Sequence, residues 1–297
     1  MVIMKRFTRD EIRARLDARL ARKEPILACE AGVGITAKMY EMYDIDLIFA
    51  TSAGVFRSRG IDDVFSLTAY GECNEMTYEL VRRIHGVTNN TPVIAGINVT
   101  DPRCILETQV RNFKEAGVSG IINSPSIAAF VSAINILEGT PVERDMLTEC
   151  REKEMFTVAD CFFREDIKIY AESKPDMMII NLKWAVEEGI SRDILNDQKI
   201  NAWFPKKPFD PAYYNDIEAC CKEIQECYEE IKAISPETYV IVHGGPFTTF
   251  EAAQKLFALT DVEGFLGSKC FDTDVMRKYI LENQAAFSSL TLNKEAF

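Results

Sequence analysis

Short apolar runs alternate with amphipathic stretches from one end of the chain to the other. Eight runs read as strands, at residues 26–29, 47–50, 93–97, 120–122, 157–159, 177–181, 239–242 and 264–266. Each is continuously apolar rather than alternating, as expected of strands covered on both faces. The segments between them repeat at i+3 and i+4. Leu106, Val110 and Phe113 form one apolar stripe, and Ile217, Cys221, Ile224, Tyr228 and Ile231 another.

Eight strands, each followed by a helix, predict a (β/α)8 TIM barrel, an α/β fold, as one domain over residues 1–297. A doubly wound open sheet is the competitor, because Ala31-Gly32-Val33-Gly34-Ile35 imitates a dinucleotide-binding turn. The third glycine of that turn is absent, as is an acidic residue ending the second strand. Thr8-Arg9-Asp10-Glu11 reads as a capping box opening a leading helix within residues 1–23, expected to close the N-terminal mouth. Two connections look long, 51–69 and 183–211. The second holds both tryptophans, Trp184 and Trp203, and reads as a folded lid, or else as a subunit contact.

Barrels work at the C-terminal ends of their strands. The expected rim is Glu30, Thr51, Ser52, Asn98, Thr100, Asp101, Asn123, Ser124, Ser126, Asp160, Lys183, His243, Ser268 and Lys269. Glu30 or Asp101 would act as base, with Lys183 and His243 stabilising a developing enolate. Lys183 could instead form a Schiff base. In His243-Gly244-Gly245-Pro246 and Gly267-Ser268, glycines directly after strands leave backbone amides for an anion. Gly32 and Gly34 offer a second backbone-lined surface, Ser52 and Asn123 polar contacts, and Arg57 a clamp for a carboxylate. Glu30, Asp101 and Asp160 could hold Mg2+, although no spacing motif supports a metal. His85 reads as a helix C-terminal residue without chemistry.

Composition narrows the partners. Lys and Arg total 34 against 46 Asp and Glu, a net charge of −12 that argues against nucleic acid or an anionic membrane. No apolar stretch approaches the ~20 residues of a bilayer span, and no secretory apolar region opens the chain. Nine cysteines without a C-x-x-C pair, and only 2 His, make a zinc site improbable and suggest a reducing cytoplasm.

Several of these pieces together resemble the phosphoenolpyruvate hydrolase-like TIM-barrel family, also called TIM-barrel signal-transduction proteins. They are residues 31–38, Ser52-Ala53-Gly54-Val55-Phe56-Arg57, Tyr70-Gly71-Glu72-Cys73-Asn74, Thr100-Asp101-Pro102, Asn123-Ser124-Pro125 and His243-Gly244-Gly245-Pro246. The resemblance implies a hydrolase or lyase acting on a small anionic 2-oxo acid or enolpyruvate-type substrate. It also implies a distant likeness to Mg2+-using phosphoenolpyruvate mutases and isocitrate lyases. A barrel of this kind is expected to be a homo-oligomer. The sequence pattern departs from the family at Glu30, at Asn181-Leu182-Lys183 and at Lys269-Cys270-Phe271, which implies altered substrate or chemistry. The alternative expectation is a regulatory barrel that binds a small anion without turning it over.

Overall fold

The computed structural model describes residues 6–61, 65–66, 72–126, 139–182 and 216–289. Within them eight parallel strands close into a ring. They are β1 (Ile26–Ala31), β2 (Leu47–Ala50), β3 (Val93–Gly96), β4 (Gly120–Ile122), β5 (Phe156–Cys161), β6 (Met177–Asn181), β7 (Tyr239–His243) and β8 (Gly264–Gly267). Each pairs with the next, and β8 pairs with β1, so the sheet has no open edge. The TIM barrel expected from the alternation of elements is the fold, and the open sheet is not.

The helices are α1 (Arg9–Ala21), α2 (Gly34–Met42), α3 (Ser52–Ser58), α4 (Cys73–His85), α5 (Leu106–Glu115), α6 (Gly139–Glu152), α7 (Ile167–Glu172), α8 (Ile217–Ile234), α9 (Phe250–Leu259) and α10 (Thr273–Ser288). Several expected boundaries shift. The strands β1, β5, β7 and β8 run further than their apolar runs, so Glu30, Asp160, His243 and Gly267 lie inside strands rather than past them. A polar residue can extend a ladder when its side chain finds a partner, and each of the first three does. The long connection expected at 51–69 opens with a helix, α3, because the Thr51 hydroxyl accepts a hydrogen bond from the Gly54 amide at 3.2 Å and caps it. The lid expected at 183–211, with Lys183, Trp184 and Trp203, lies outside the described residues. So do Tyr70 and Gly71.

Two apolar cores flank the sheet. Inward-pointing Ala28, Phe49, Ile94, Ile122, Val158, Ile179, Ile241 and Leu266 fill the barrel, while Cys29, Ile48, Ala95, Ile121, Ala159, Ile180, Val242 and Phe265 face the helices. Period-two alternation makes this division and fixes what every other strand residue faces. The leading helix seals the bottom. Phe7, Ile12 and Leu16 join the inner core, and burying a side chain of this size contributes about 1.5–3 kcal/mol. The capping box is present: the Glu11 amide donates to Thr8 Oγ1 at 3.2 Å, and the Thr8 amide donates to the Glu11 carboxylate at 2.7 Å.

Charge fixes the plug in place. The buried Asp176 carboxylate takes Arg9 Nε at 2.8 Å, Arg13 Nη1 at 3.1 Å and the Thr157 amide at 3.0 Å. On the other side Asp46 faces Arg15 at 3.8 Å and Arg19 at 3.6 Å, and accepts the Leu27 amide at 2.9 Å. Thus one helix face inserts apolar side chains while its flanks reach carboxylates at the strand bases. Removing the shared acceptor leaves two guanidinium groups and a strand amide without it. Asp176→Ala is expected to lower the unfolding free energy by about 3 kcal/mol in urea titration and to speed amide exchange in α1.

His85 ends α4, and burial lowers its imidazole from 6.5 to about 4. It is therefore a neutral group packed under the helix end, not a cation at the helix terminus. Because the folded pKa lies below the unfolded one, its contribution is complete above pH 6.5 and is lost as pH falls toward 4. Replacing it with Phe should flatten the stability profile in that window, with a difference reaching about 3 kcal/mol in denaturation at stepped pH.

Candidate functional site

Beneath the C-terminal mouth the inward positions change character within a single layer. One strand step above the apolar floor stand Glu30, Thr51, Ser124, Asp160, Asn181, His243 and Ser268. All seven are buried. Alternation places each two residues after an inward apolar neighbour, so they converge on the barrel axis from most of the strands.

Buried polar groups need partners, and the layer supplies them in three clusters. In the first, the Glu30 carboxylate accepts from the Thr51 hydroxyl and from Arg57 Nη2, the latter at 2.8 Å. Arg57 in turn faces Asp272 at 3.5 Å. Arg57 and both carboxylates are almost wholly shielded from solvent, so one guanidinium links two acids from opposite ends of the sequence. Glycines make this approach possible. A Cβ on Gly32 would stand 2.1 Å from the Gly54 carbonyl oxygen, so the end of β1 and the start of α3 meet backbone to backbone.

In the second cluster Asn181 Nδ2 donates to the Asp160 carboxylate at 2.7 Å, and the Asp160 amide donates to the Asn123 side-chain oxygen at 2.7 Å. Behind this wall the Glu143 carboxylate, from α6, receives Asn123 Nδ2 at 2.6 Å, Ser126 Oγ at 2.9 Å and the Tyr170 hydroxyl at 2.7 Å. Burial first, and then Glu143, push the Tyr170 phenol well above its ordinary value, which keeps it a donor.

The third cluster is His243. Its Nδ1 lies 2.7 Å from the Leu266 carbonyl oxygen, which can only accept, so Nδ1 carries the hydrogen and the lone pair of the neutral ring is on Nε2. The following Gly244 and Gly245 adopt φ of +76° and +66°, conformations that favour glycine.

Several expected roles change with this geometry. Asn123 is fully buried on the outward side of the barrel, and both ends of its amide bond to protein, so it shapes the wall instead of touching a substrate. Arg57 does not stand open as a carboxylate clamp, because it binds Glu30 and Asp272. Asp101 turns to Arg103 at 2.9 Å, and hydrogen bonding from Arg103 holds its carboxyl below the usual range. It is not gathered with Glu30. Glu30, Asp101 and Asp160 consequently form no shared cation site, and among the described residues no three His, Cys, Asp or Glu side chains converge as metal ligands. Gly32, Gly34 and Gly267 lie against protein: Gly32 against Gly54, Gly34 near the Arg83 carbonyl, and Gly267 against the Phe271 ring. Ser52 is buried in the first turn of α3.

Glu143, Tyr170 and Asp272 carry no local sequence signal, since each reaches the rim from a helix or turn distant in the chain. Asn181 could have been found, because it continues the inward series Met177, Ile179. The thiols are not nucleophile candidates. All nine cysteines are free of disulfides, and burial pushes Cys150, Cys220 and Cys227 up to about 12.

Comparison with known proteins agrees with this architecture. A protein of Sinorhizobium fredii named as a transcriptional regulatory protein, y4pA, is 26% identical over 294 residues, covering 96% of this chain and 45% of that protein. The chain therefore spans less than half the length of that relative. The solved structure of a phosphoenolpyruvate phosphomutase from Streptomyces platensis subsp. rosaceus matches with a TM-score of 0.60 at 14% identity, over 95% of this chain and 87% of that one. A phosphonopyruvate hydrolase solved with oxalate and Mg2+ matches with a TM-score of 0.55 at 15% identity, over 98% and 92%. At such identities these two likenesses are of fold. The family match reaches further, since a model described as phosphoenolpyruvate hydrolase-like covers residues 11–290. The chain belongs to the phosphoenolpyruvate hydrolase-like family.

Proposed function

We propose that the chain is an enzyme, a hydrolase or lyase that cleaves a C–C or C–O/P bond in a small anionic 2-oxo acid or enolpyruvate-type substrate. The observation that carries this reading is the single polar layer above an apolar floor, at the mouth where barrels of this fold do their chemistry. A buried layer of hydrogen-bonded polar side chains suits a reaction that develops negative charge on an enolate oxygen. The names of the fold neighbours, a phosphoenolpyruvate phosphomutase and a phosphonopyruvate hydrolase, support the substrate class.

His243 is the residue best suited to move a proton. Its tautomer is set by Leu266, which makes Nε2 the basic nitrogen of the neutral ring. Asp160, oriented by Asn181, would hold that proton-bearing group in line. Glu30 fits the role of base less well than its position suggested, because Thr51 and Arg57 each donate to one of its two carboxylate oxygens. The amides around Gly244, Gly245 and Ser268 would cradle the substrate anion. The described carboxylates are already engaged and do not present a ready Mg2+ site, so no step here runs through a metal.

One observation favours a second reading. With Glu30 and Asp101 both bound by arginine, the mouth could hold an anion without supplying a base, as a small-anion sensor would. A mass-spectrometric screen of 2-oxo acids and enolpyruvate phosphates, with and without Mg2+, separates the two. An enzyme yields product, and His243→Gln lowers turnover about 100-fold while oxalate affinity changes little. Oxalate binding with no product from any compound tested is the sensor's result.

The acid–arginine–acid cluster makes its own prediction. Removing the cation leaves two like charges buried together, so Arg57→Met should destabilise the fold by about 3–5 kcal/mol. Adding Glu30→Gln and Asp272→Asn to that variant should restore part of the loss in urea titration.

A further inference from the structure

Strand β4 is shorter than the strand beside it. Its ladder to β5 stops where Ile122 lies opposite Val158, while β5 runs on to Cys161. After Ile122 the chain turns off, the Ser124 amide donating back to the Ile122 carbonyl at 2.9 Å. Asp160, two steps past the last paired residue, therefore has a strand on one side only, where it lies opposite Ile179 of β6. On the other side the Asn123 side chain takes the place of a strand. Its Oδ1 accepts from the Asp160 amide at 2.7 Å, and its Nδ2 donates to the Asp160 carbonyl at 3.2 Å. One carboxamide thus holds both main-chain groups of Asp160 that a ladder would have held.

A carboxamide does this in one orientation only. Turned over, it would set its nitrogen against the Asp160 amide and its oxygen against the Asp160 carbonyl, donor on donor and acceptor on acceptor. The Asp160 main chain favours the correct orientation, but at the end of a strand it moves with the side chain that holds it. The outside reference is Glu143, which rides on α6. One oxygen of its carboxylate takes Asn123 Nδ2 at 2.6 Å, Ser126 Oγ at 2.9 Å and the Tyr170 hydroxyl at 2.7 Å, so it accepts from all three and the Asn123 edge facing it is the nitrogen. The helix itself is anchored by Met146, Leu147 and Cys150 in the outer core.

We propose, resting on the reading of the polar layer as the place of reaction, that Glu143 is its positioning residue. Fixed on α6 and outside the ring, Glu143 sets the face that Asn123 presents, and Asn123 sets the height of Asp160 along the axis. Asn181 Nδ2, at 2.7 Å, then turns the Asp160 carboxylate. A misplacement of about 1 Å at a reacting group costs a factor of about 100 in rate. The amides of Gly244 and Gly245 follow β7 and stand outside this chain of bonds.

The test has two readouts, turnover of the 2-oxo acid found in the screen and the Asp160 amide proton in nitrogen-15-edited NMR. Glu143→Leu is expected to lower kcat about 10–100-fold and to change KM by less than about threefold, because orientation fails while anion binding survives. The Asp160 amide proton should move upfield as its hydrogen bond lengthens. Asn123→Leu should lower kcat as much, and the double variant should be no slower than the slower single one, since both break the same chain of bonds. Glu143→Gln keeps an acceptor oxygen and should restore both readouts. Tyr170→Phe removes a different hydrogen bond to the same carboxylate, so it should lower stability and leave kcat and the Asp160 signal in place. An Asp160 amide that stays put in Glu143→Leu overturns the proposal. So does a Tyr170→Phe protein as slow as Glu143→Leu, or a double variant in which the two losses multiply. Should Glu143→Leu not fold, Asn123→Leu carries the test, and an unchanged kcat there overturns the proposal. A wild-type protein that yields no product removes the enzyme reading alone, and the Asp160 signal in Glu143→Leu still supports or overturns the role of Glu143.

Discussion

A closed ring of parallel strands allows a side chain only two destinations, the axis or the helices, and assigns them alternately. That constraint governs the rest of this molecule. Once Ala28, Phe49, Val158, Ile179, Ile241 and Leu266 point to the axis, the residues two steps on have no choice but to point there too. Glu30, Asp160, Asn181 and His243 are thereby buried whether or not burial suits them. Each then requires a partner, and the partners found are Arg57, the Asn181 amide and the Leu266 carbonyl. The polar layer, the position of α3 and the turn into α10 all follow from meeting that requirement.

Most of the architecture was legible in the sequence because it rests on periodicity. Apolar runs at strand spacing gave all eight strands, and Thr8 with Glu11 gave the start of the leading helix to the residue. The ends of the strands were harder to read. A run of apolar letters stops at the first polar residue, while the ladder continues as long as that residue is satisfied, as Glu30 and His243 are. Several residues of the expected rim share the buried inward layer, while others pair away from it. Asn123 and Arg57 look like ligand-binding residues by type, but their partners, Glu143 and Asp272, lie 20 and 215 positions away in the chain (143 − 123 and 272 − 57). Such pairings depend on how helices settle against the ring, which no local pattern encodes. The anchoring of α1 is similar. Its four arginines meet Asp46 and Asp176, residues of other parts of the chain that no local pattern pairs with them.

Charge is handled differently at the two ends of the barrel. At the bottom, arginines outnumber the buried carboxylates and tie a separate helix to the strands. At the top, a single arginine stands between two acids, and Asp160 adds a further carboxylate to the layer. On the proposed reading, an anion entering there meets backbone amides and no cluster of cations among the described residues. Glycine at 244 and 245 matters for that reason, since only a backbone free of side chains in a left-handed conformation turns its amides so sharply after a strand.

The plug at the base has a consequence for traffic. With Phe7, Ile12 and Leu16 wedged into the lower core and four arginines fastening the helix that carries two of them, the barrel is a well and not a pipe. Whatever small molecule the polar layer holds must arrive and depart through one opening. Departure of one occupant therefore precedes arrival of the next. On the proposed reading as an enzyme, any product retained in the layer competes directly with fresh substrate.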